Sequence, residues 1–198
     1  TQTFTVGGSF TVPASGVSGS FSRFSGAGTS GSHYLIYDVY GLQGMQGYLN
    51  DSNIYFDLAN NIDASFTKPT AQSGHNWNAG AGFAPVGDNS SGTDTTRFLG
   101  TFDGKGYTIS NLYIDRSGTN YVGLFGYAKT GTLSNVGLVG GSVSGNNFVG
   151  GLVGFSNAAI SNSYATGSVS GTENYVGGLA GESDGTISNS YATGNMSG

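Results

Sequence analysis

Along the second half of the chain, apolar residues come in short pieces. Each piece is broken by Gly, Ser or Asn before a helical period can build. The pieces read "FVGGLVG", "ISNSYATG" and "SVSG", with turn-forming residues at their joints. None offers ten or more residues of 3.6-residue hydrophobic periodicity, so helical solenoids and helix-bearing horseshoes are excluded. The pieces also recur. "YVGLFG" begins at Tyr121, "FVGGLVG" at Phe148 and "YVGGLAG" at Tyr175, at steps of 27 residues. Asn135, Asn162 and Asn189 keep the same step, and a looser copy over Phe98 to Gly118 sets Asn111 24 positions before Asn135.

A repeat in the twenties means stacked supersecondary units. With no helix available, the expected fold is all-β: a right-handed parallel β-helix of about 23–27 residues per coil and about three short strands in each. Successive coils then lie about 4.8 Å apart, with like residues over like. Val122, Val149 and Val176 should form one apolar column, and Leu124, Leu152 and Leu179 a second. Leu133, Ile160 and Ile187 should form a third, continued by Ile109. Asn111, Asn135, Asn162 and Asn189 should form a structural amide ladder, each donating to one neighbour and accepting from the other. The phrase recurs because each coil buries its inner face only against copies of itself.

The first half is less regular. Leu42, Met45 and Leu49 share one face at helical spacing, which predicts a short helix over about 42–48. "SNIYFDLANNID" predicts a strand with Ile54, Phe56 and Leu58 on one side. Residues 64–97 are rich in breakers and read as long loops. The expected organisation is therefore one continuous structural domain in three stretches. Residues 1–32 give N-terminal strands or a first coil, 33–97 an irregular part whose loops offer a candidate binding face, and 98–198 the regular coils. The pattern also reads as a fragment of a larger protein.

Composition narrows the partners. Only 9% of residues are charged and the net charge is −5, which removes the basic footprint that nucleic acid requires. No apolar stretch is long enough for a spanning helix, so no membrane insertion is expected. With no Cys, thiol catalysis and thiolate metal sites are excluded.

The segments "FVGGLVGFSNAAISNSYATGSVSG" and "YVGGLAGESDGTISNSYATGNMSG" resemble the GLUG repeat, whose core stands here as Gly151-Leu152-Val153-Gly154 and Gly178-Leu179-Ala180-Gly181. The run from "NIDAS" through "WNAGAGFAPVG" to "YVGLFGY" resembles the segment leading into such repeats in filamentous-haemagglutinin-like exoproteins. The resemblance covers residues 33–198. It implies a right-handed parallel β-helix, two-partner secretion with an outer-membrane secretion partner for the full-length protein, a secreted or Gram-negative cell-surface location, and adhesion. It implies no shared catalytic residues and no cofactor.

The expected function is a non-enzymatic, monomeric adhesin fragment that recognises a host-cell or surface glycan or glycoprotein. A passive β-helix spacer and a polysaccharide-active lyase or hydrolase are the alternatives. For ligand binding, "SGHNWNAGAGF" combines a lone Trp with polar neighbours. Trp77 offers a ring to stack on a sugar while His75, Asn76 and Asn78 supply hydrogen bonds, unless Trp77 folds back to anchor its own loop. The aromatic columns at Tyr121, Phe148 and Tyr175 and at Tyr164 and Tyr191 are either a flat binding strip or packing. Asp88 and Asp94 are weak Ca²⁺ candidates, since their loop lacks EF-hand spacing, and no metal site is expected. For catalysis, Asp103 has no acidic partner one repeat further on, so "FDGKG" reads as a turn. Asn89-Ser90-Ser91 and Asn195-Met196-Ser197 are sequons.

Overall fold

The phrase Ile160–Gly167 shows how one repeat is built. In a computed structural model of the chain, which describes residues 24–69 and 77–198, Ile160 is fully buried between Leu133 of the preceding coil and Ile187 of the following one. Asn162 turns the corner with φ +50°, a left-handed conformation that Asn tolerates better than other side chains. Ser163 donates its hydroxyl to the Ser161 carbonyl at 2.8 Å and accepts the Val136 N–H of the preceding coil at 3.2 Å. Ala165 faces the core, and the Thr166 hydroxyl accepts the Gly140 N–H at 2.9 Å. Ile160 and Ala165 thus fill the interior, while Ser163 and Thr166 satisfy backbone groups of the neighbouring coil.

Stacked in this way, the strands form parallel sheets running along the solenoid. A six-stranded sheet contains Tyr34–Ile36, Tyr55–Leu58, Thr101–Asp103, Thr132–Ser134, Ala159–Ser161 and Ile187–Ser188. A five-stranded sheet contains Ile62–Asp63, Thr108–Ser110, Gly137–Val139, Tyr164–Ala165 and Tyr191–Ala192. A four-stranded sheet contains Tyr113–Asp115, Ser142–Gly145, Ser168–Gly171 and Met196–Ser197. Smaller sheets of three and two strands complete the wall, so a coil carries more strands than the three the pattern predicts. Strand partners in the upper coils are 26 to 28 residues apart, close to the predicted step. Two of the earlier coils are longer, with cross-coil bonds spanning 31 and 47 residues, because loops are inserted in them.

The core is one continuous cluster from Ile36 to Leu179. The columns Val122–Val149–Val176 and Leu124–Leu152–Leu179 stack as predicted. The third column does not continue to Ile109. Below Leu133 it runs through Phe102 to Phe56, whereas Ile109 lies between Ile62 and Leu138 on the five-stranded sheet. Asn111 is displaced with it. Its amide donates to Asp63, not to the Asn ladder, and the Asn135 amide goes to Asp103 at 2.8 Å. The cause is the longer lower coil: "TISN" at 108–111 and "TLSN" at 132–135 look alike but fall on different sheets.

The predicted helix starts earlier, as an α-turn over Val39–Gly44 that continues as a 3₁₀ turn over Met45–Tyr48. The Asp38 carboxylate accepts the Gly41 N–H at 2.8 Å and caps it, and Val39, Leu42 and Met45 join the core. Within the stretch read as loops, Phe83 and Val86 are fully buried, and Val86 and Phe98 bridge in parallel to Phe125 and Ala128. No helix among the described residues is long and apolar enough to cross a membrane.

Candidate functional site

Of the four proposed ligand contacts, His75 and Asn76 lie outside the described residues. Trp77 is tied into the fold. Its ring packs against the core and lies 4.7 Å from Tyr40 at a 39° tilt, and its indole N–H donates to the Gln43 Oε1 at 3.3 Å. Gln43 in turn holds the next stretch of loop, donating to the Ala84 carbonyl and accepting the Ala84 N–H, both at 2.9 Å. Gln46 does the same one step along, donating to the Pro85 carbonyl and accepting the Gly87 N–H. Asn78, with φ +49°, donates its amide to the Gly82 carbonyl at 2.8 Å. Trp77 and Asn78 therefore brace the loop that carries them. Tyr40, beside Trp77, is half exposed.

The aromatic columns spend ring faces on one another, although Tyr175 and Tyr191 are half exposed. Tyr121, Phe148 and Tyr175 stack at 4.8 and 4.7 Å with planes within 4°, so each inner face covers another ring. Tyr164 and Tyr191 stack at 5.3 Å in the same manner. All three residues of the longer column have φ between +55° and +61°. That conformation is costly for a bulky side chain, about 1–2 kcal/mol each, and ring stacking opposes the cost.

Asp88 and Asp94 do not converge on a cation. Asp88 accepts from the Ser90 N–H and hydroxyl, while Asp94 pairs with Arg97 at 2.8 Å. Among the described residues no group of three His, Asp, Glu or Cys side chains comes together to hold a metal. The Arg97 guanidinium also donates twice to the Asn89 Oδ1 and lies 4.7 Å from the Tyr127 ring centre. The Asn89 amide donates to the Tyr121 hydroxyl at 3.2 Å. The Asn89 sequon is thus spent on pinning its loop to the aromatic column, whereas Asn195 is exposed.

One polar cluster escaped the repeat arithmetic. Asp103 does have an acidic neighbour, on the preceding coil: Asp57 is its register partner on the outer face of the six-stranded sheet. The Lys105 ammonium sits 3.5 Å from Asp57 and 3.4 Å from Asp103. His33 Nδ1 is 2.7 Å from the other Asp57 oxygen, and its ring stacks on Tyr55 at 5.1 Å. Burial alone would push the Asp103 carboxyl up, but the Asn135 amide and the Lys105 backbone N–H and ammonium outweigh it and hold the group below the ordinary aspartate value. The Asp103 carboxylate, and then that of Asp57, hold the Lys105 ammonium above its ordinary value. A carboxylate engaged this fully is a cross-coil lock rather than a free acid or base. The available signal was the Phe-Asp pair shared by "YFDL" and "TFDG", whose Phe residues stack inside while the Asp residues stack outside.

Comparison with known proteins agrees with this architecture. The GLUG motif matches residues 145–170 and 172–197. Halomucin of Haloquadratum walsbyi is 39% identical over 122 residues, 61% of this chain and 1% of that protein. A protein of Evansella cellulosilytica named as a Gly-rich membrane protein is 32% identical over 117 residues, 58% of this chain and 12% of that protein. The chain thus spans a small part of the curated relatives it matches. A crystal structure titled as an immunoglobulin A1 protease of Bacteroides ovatus superposes with a TM-score of 0.55 at 23% identity, over 83% of this chain and 48% of that one, a likeness of fold alone. Residues 145–170 and 172–197, the two stretches that match the GLUG motif, stack on one another in a parallel β-solenoid.

Proposed function

We propose that this chain is a non-enzymatic rod segment of a large surface or exported protein, and that it takes part in attachment through glycan recognition. The carrying observation is the like-on-like stacking of the coils, which spends the repeated side chains on one another and leaves a stiff element with no catalytic group assembled among the described residues. The names of the relatives, halomucin and a Gly-rich membrane protein, support a place at or outside the cell surface. The fuller form of the reading is a filamentous-haemagglutinin-like adhesin exported by two-partner secretion from a Gram-negative cell. It rests on the resemblance of residues 33–198.

The glycan contact belongs to Tyr40 and Trp77, a tilted aromatic pair with one half-exposed ring. Aromatic pairs of this kind present a ring face to sugars, and nearby amides supply direction. A passive spacer is the second reading, favoured by the way Gln43 fastens Trp77. A glycan array probed with the chain and with Tyr40→Ala and Trp77→Ala separates them. Specific signal lost in both folded variants supports attachment. No signal on any glycan or cell surface supports the spacer, and polysaccharide cleavage would overturn the non-enzymatic reading.

A further inference from the structure

A cleft of about 440 Å³ opens where the five- and four-stranded sheets meet, lined by Ser65, Lys68, Asn111, Tyr113, Gly141 and Ser142. The fold builds it from two sides. On one side, the 3₁₀ turn Ser65–Thr67 is fastened through the Thr67 hydroxyl, which accepts the Tyr113 N–H at 3.0 Å and donates to the Ala64 carbonyl at 2.7 Å. On the other, Gly140 and Gly141 turn the following coil with φ +62° and +77°. A Cβ at Gly141 would lie 2.2 Å from the Leu112 carbonyl oxygen, so the backbone stays bare and the recess stays open.

Its polar groups are positioned in advance. The Asn111 amide donates to Asp63 at 3.2 Å, which leaves the Asn111 carbonyl oxygen to accept, and the Tyr113 hydroxyl donates to Asp115 at 3.2 Å. Asp63 also receives the N–H and the hydroxyl of Ser65. Both flanking carboxylates are thereby turned toward donors of their own. Lys68 is exposed, and no carboxylate among the described residues lies within ion-pair distance of it. Small-molecule sites of roughly 300–1,000 Å³ are usually walled by apolar side chains. This cleft adds to its apolar surface the hydroxyls of Ser65 and Ser142, the Asn111 amide, the Tyr113 phenol and the Lys68 ammonium, which matches a ligand with many hydroxyls and one negative charge.

We propose that the cleft binds a single carboxylated sugar residue, with Lys68 holding the carboxylate and Ser65, Ser142 and Asn111 holding the ring hydroxyls. An ammonium–carboxylate contact is charge-assisted and stronger than a neutral hydrogen bond, so the charged sugar is preferred over its neutral parent. This site is separate from Tyr40 and Trp77, and the two stand or fall independently.

The test is an amide-resolved NMR titration of the whole chain with D-galacturonate, D-galactose and acetate. Galacturonate should shift Ser65, Lys68, Asn111 and Ser142 and bind at least about tenfold more tightly than galactose or acetate. Lys68→Met should remove that preference while Trp77→Ala leaves it intact, and the Ala64 and Ser110 amides report that the Lys68→Met fold is kept. Equal binding of galactose, equal binding of acetate, absence of shifts at these residues, or an unaffected Lys68→Met variant would each overturn the assignment.

Discussion

Asn162 donates its side-chain amide to the Asn135 oxygen across 3.3 Å and receives the same bond, at the same length, from Asn189. The three residues share a left-handed backbone, with φ of +54°, +50° and +48° in chain order. The ladder therefore has a backbone part and a side-chain part that mutation can separate. Asn162→Ala forces Ala into the left-handed region, at about 1–2 kcal/mol, and deletes two amide bonds worth about 0.5–1 kcal/mol each. Asn162→Gly deletes the bonds but relieves the backbone. Urea unfolding should show the Ala variant destabilised by about 2–4 kcal/mol and the Gly variant by clearly less.

Burial predicts an asymmetry between equivalent residues of two repeats. Ile160 is fully buried, whereas its register partner Ile187 is 45% exposed. Ile160→Ala removes a side chain packed on all sides and should cost about 2–5 kcal/mol. Ile187→Ala removes about half as much buried area and should cost about 1–1.5 kcal/mol. Equal effects would mean that the following face of Ile187 is covered in solution.

The cross-coil lock has a pH signature. Asp103 is held below the ordinary aspartate value in the folded chain, so its contribution to stability is complete above the unfolded value and disappears as pH falls through the folded one. Lys105 is held above the ordinary lysine value, so its contribution is complete below that value and is lost as pH rises through the folded one. The urea midpoint should drop below about pH 4 and again above about pH 10.5. Asp103→Asn should flatten the acid limb, and Lys105→Met the alkaline limb.

The columns of the second half were legible because the same residues return at a fixed step, and cross-coil stacking turns equal steps into contacts. The lower coils hid their register because loops lengthen them. Asn111 imitates Asn135 in local sequence but belongs to another sheet, where Asp63 and not another Asn awaits its amide. Asp57 and Asp103 were missed for the same reason: their separation is a lower-coil length, not the repeat. Phe83 and Val86 sit among breakers with no period of their own, and their burial depends on contacts far along the chain, such as Val86 with Phe125. The Trp77 site mixed both cases. Composition marked the ring, but only the fold reveals that Gln43 holds it.

Gln43 is the point at which that hold can be tested. Its side chain bonds both backbone groups of Ala84 and the Trp77 indole, so one substitution releases the loop at two places. Gln43→Ala leaves the Ala84 groups seeking water and should cost about 1–3 kcal/mol. The chain contains a single Trp, so emission reports this loop alone. In the variant the Trp77 emission should shift to the red and its quenching by iodide should rise, while the far-ultraviolet dichroism of the β-solenoid stays the same. Gln43→Glu keeps an acceptor for the indole N–H and the Ala84 N–H but loses the donor to the Ala84 carbonyl, so its emission should stay near that of the parent. Emission unchanged from the parent in both variants would mean that Trp77 is held by Tyr40 and the core, with no part played by Gln43.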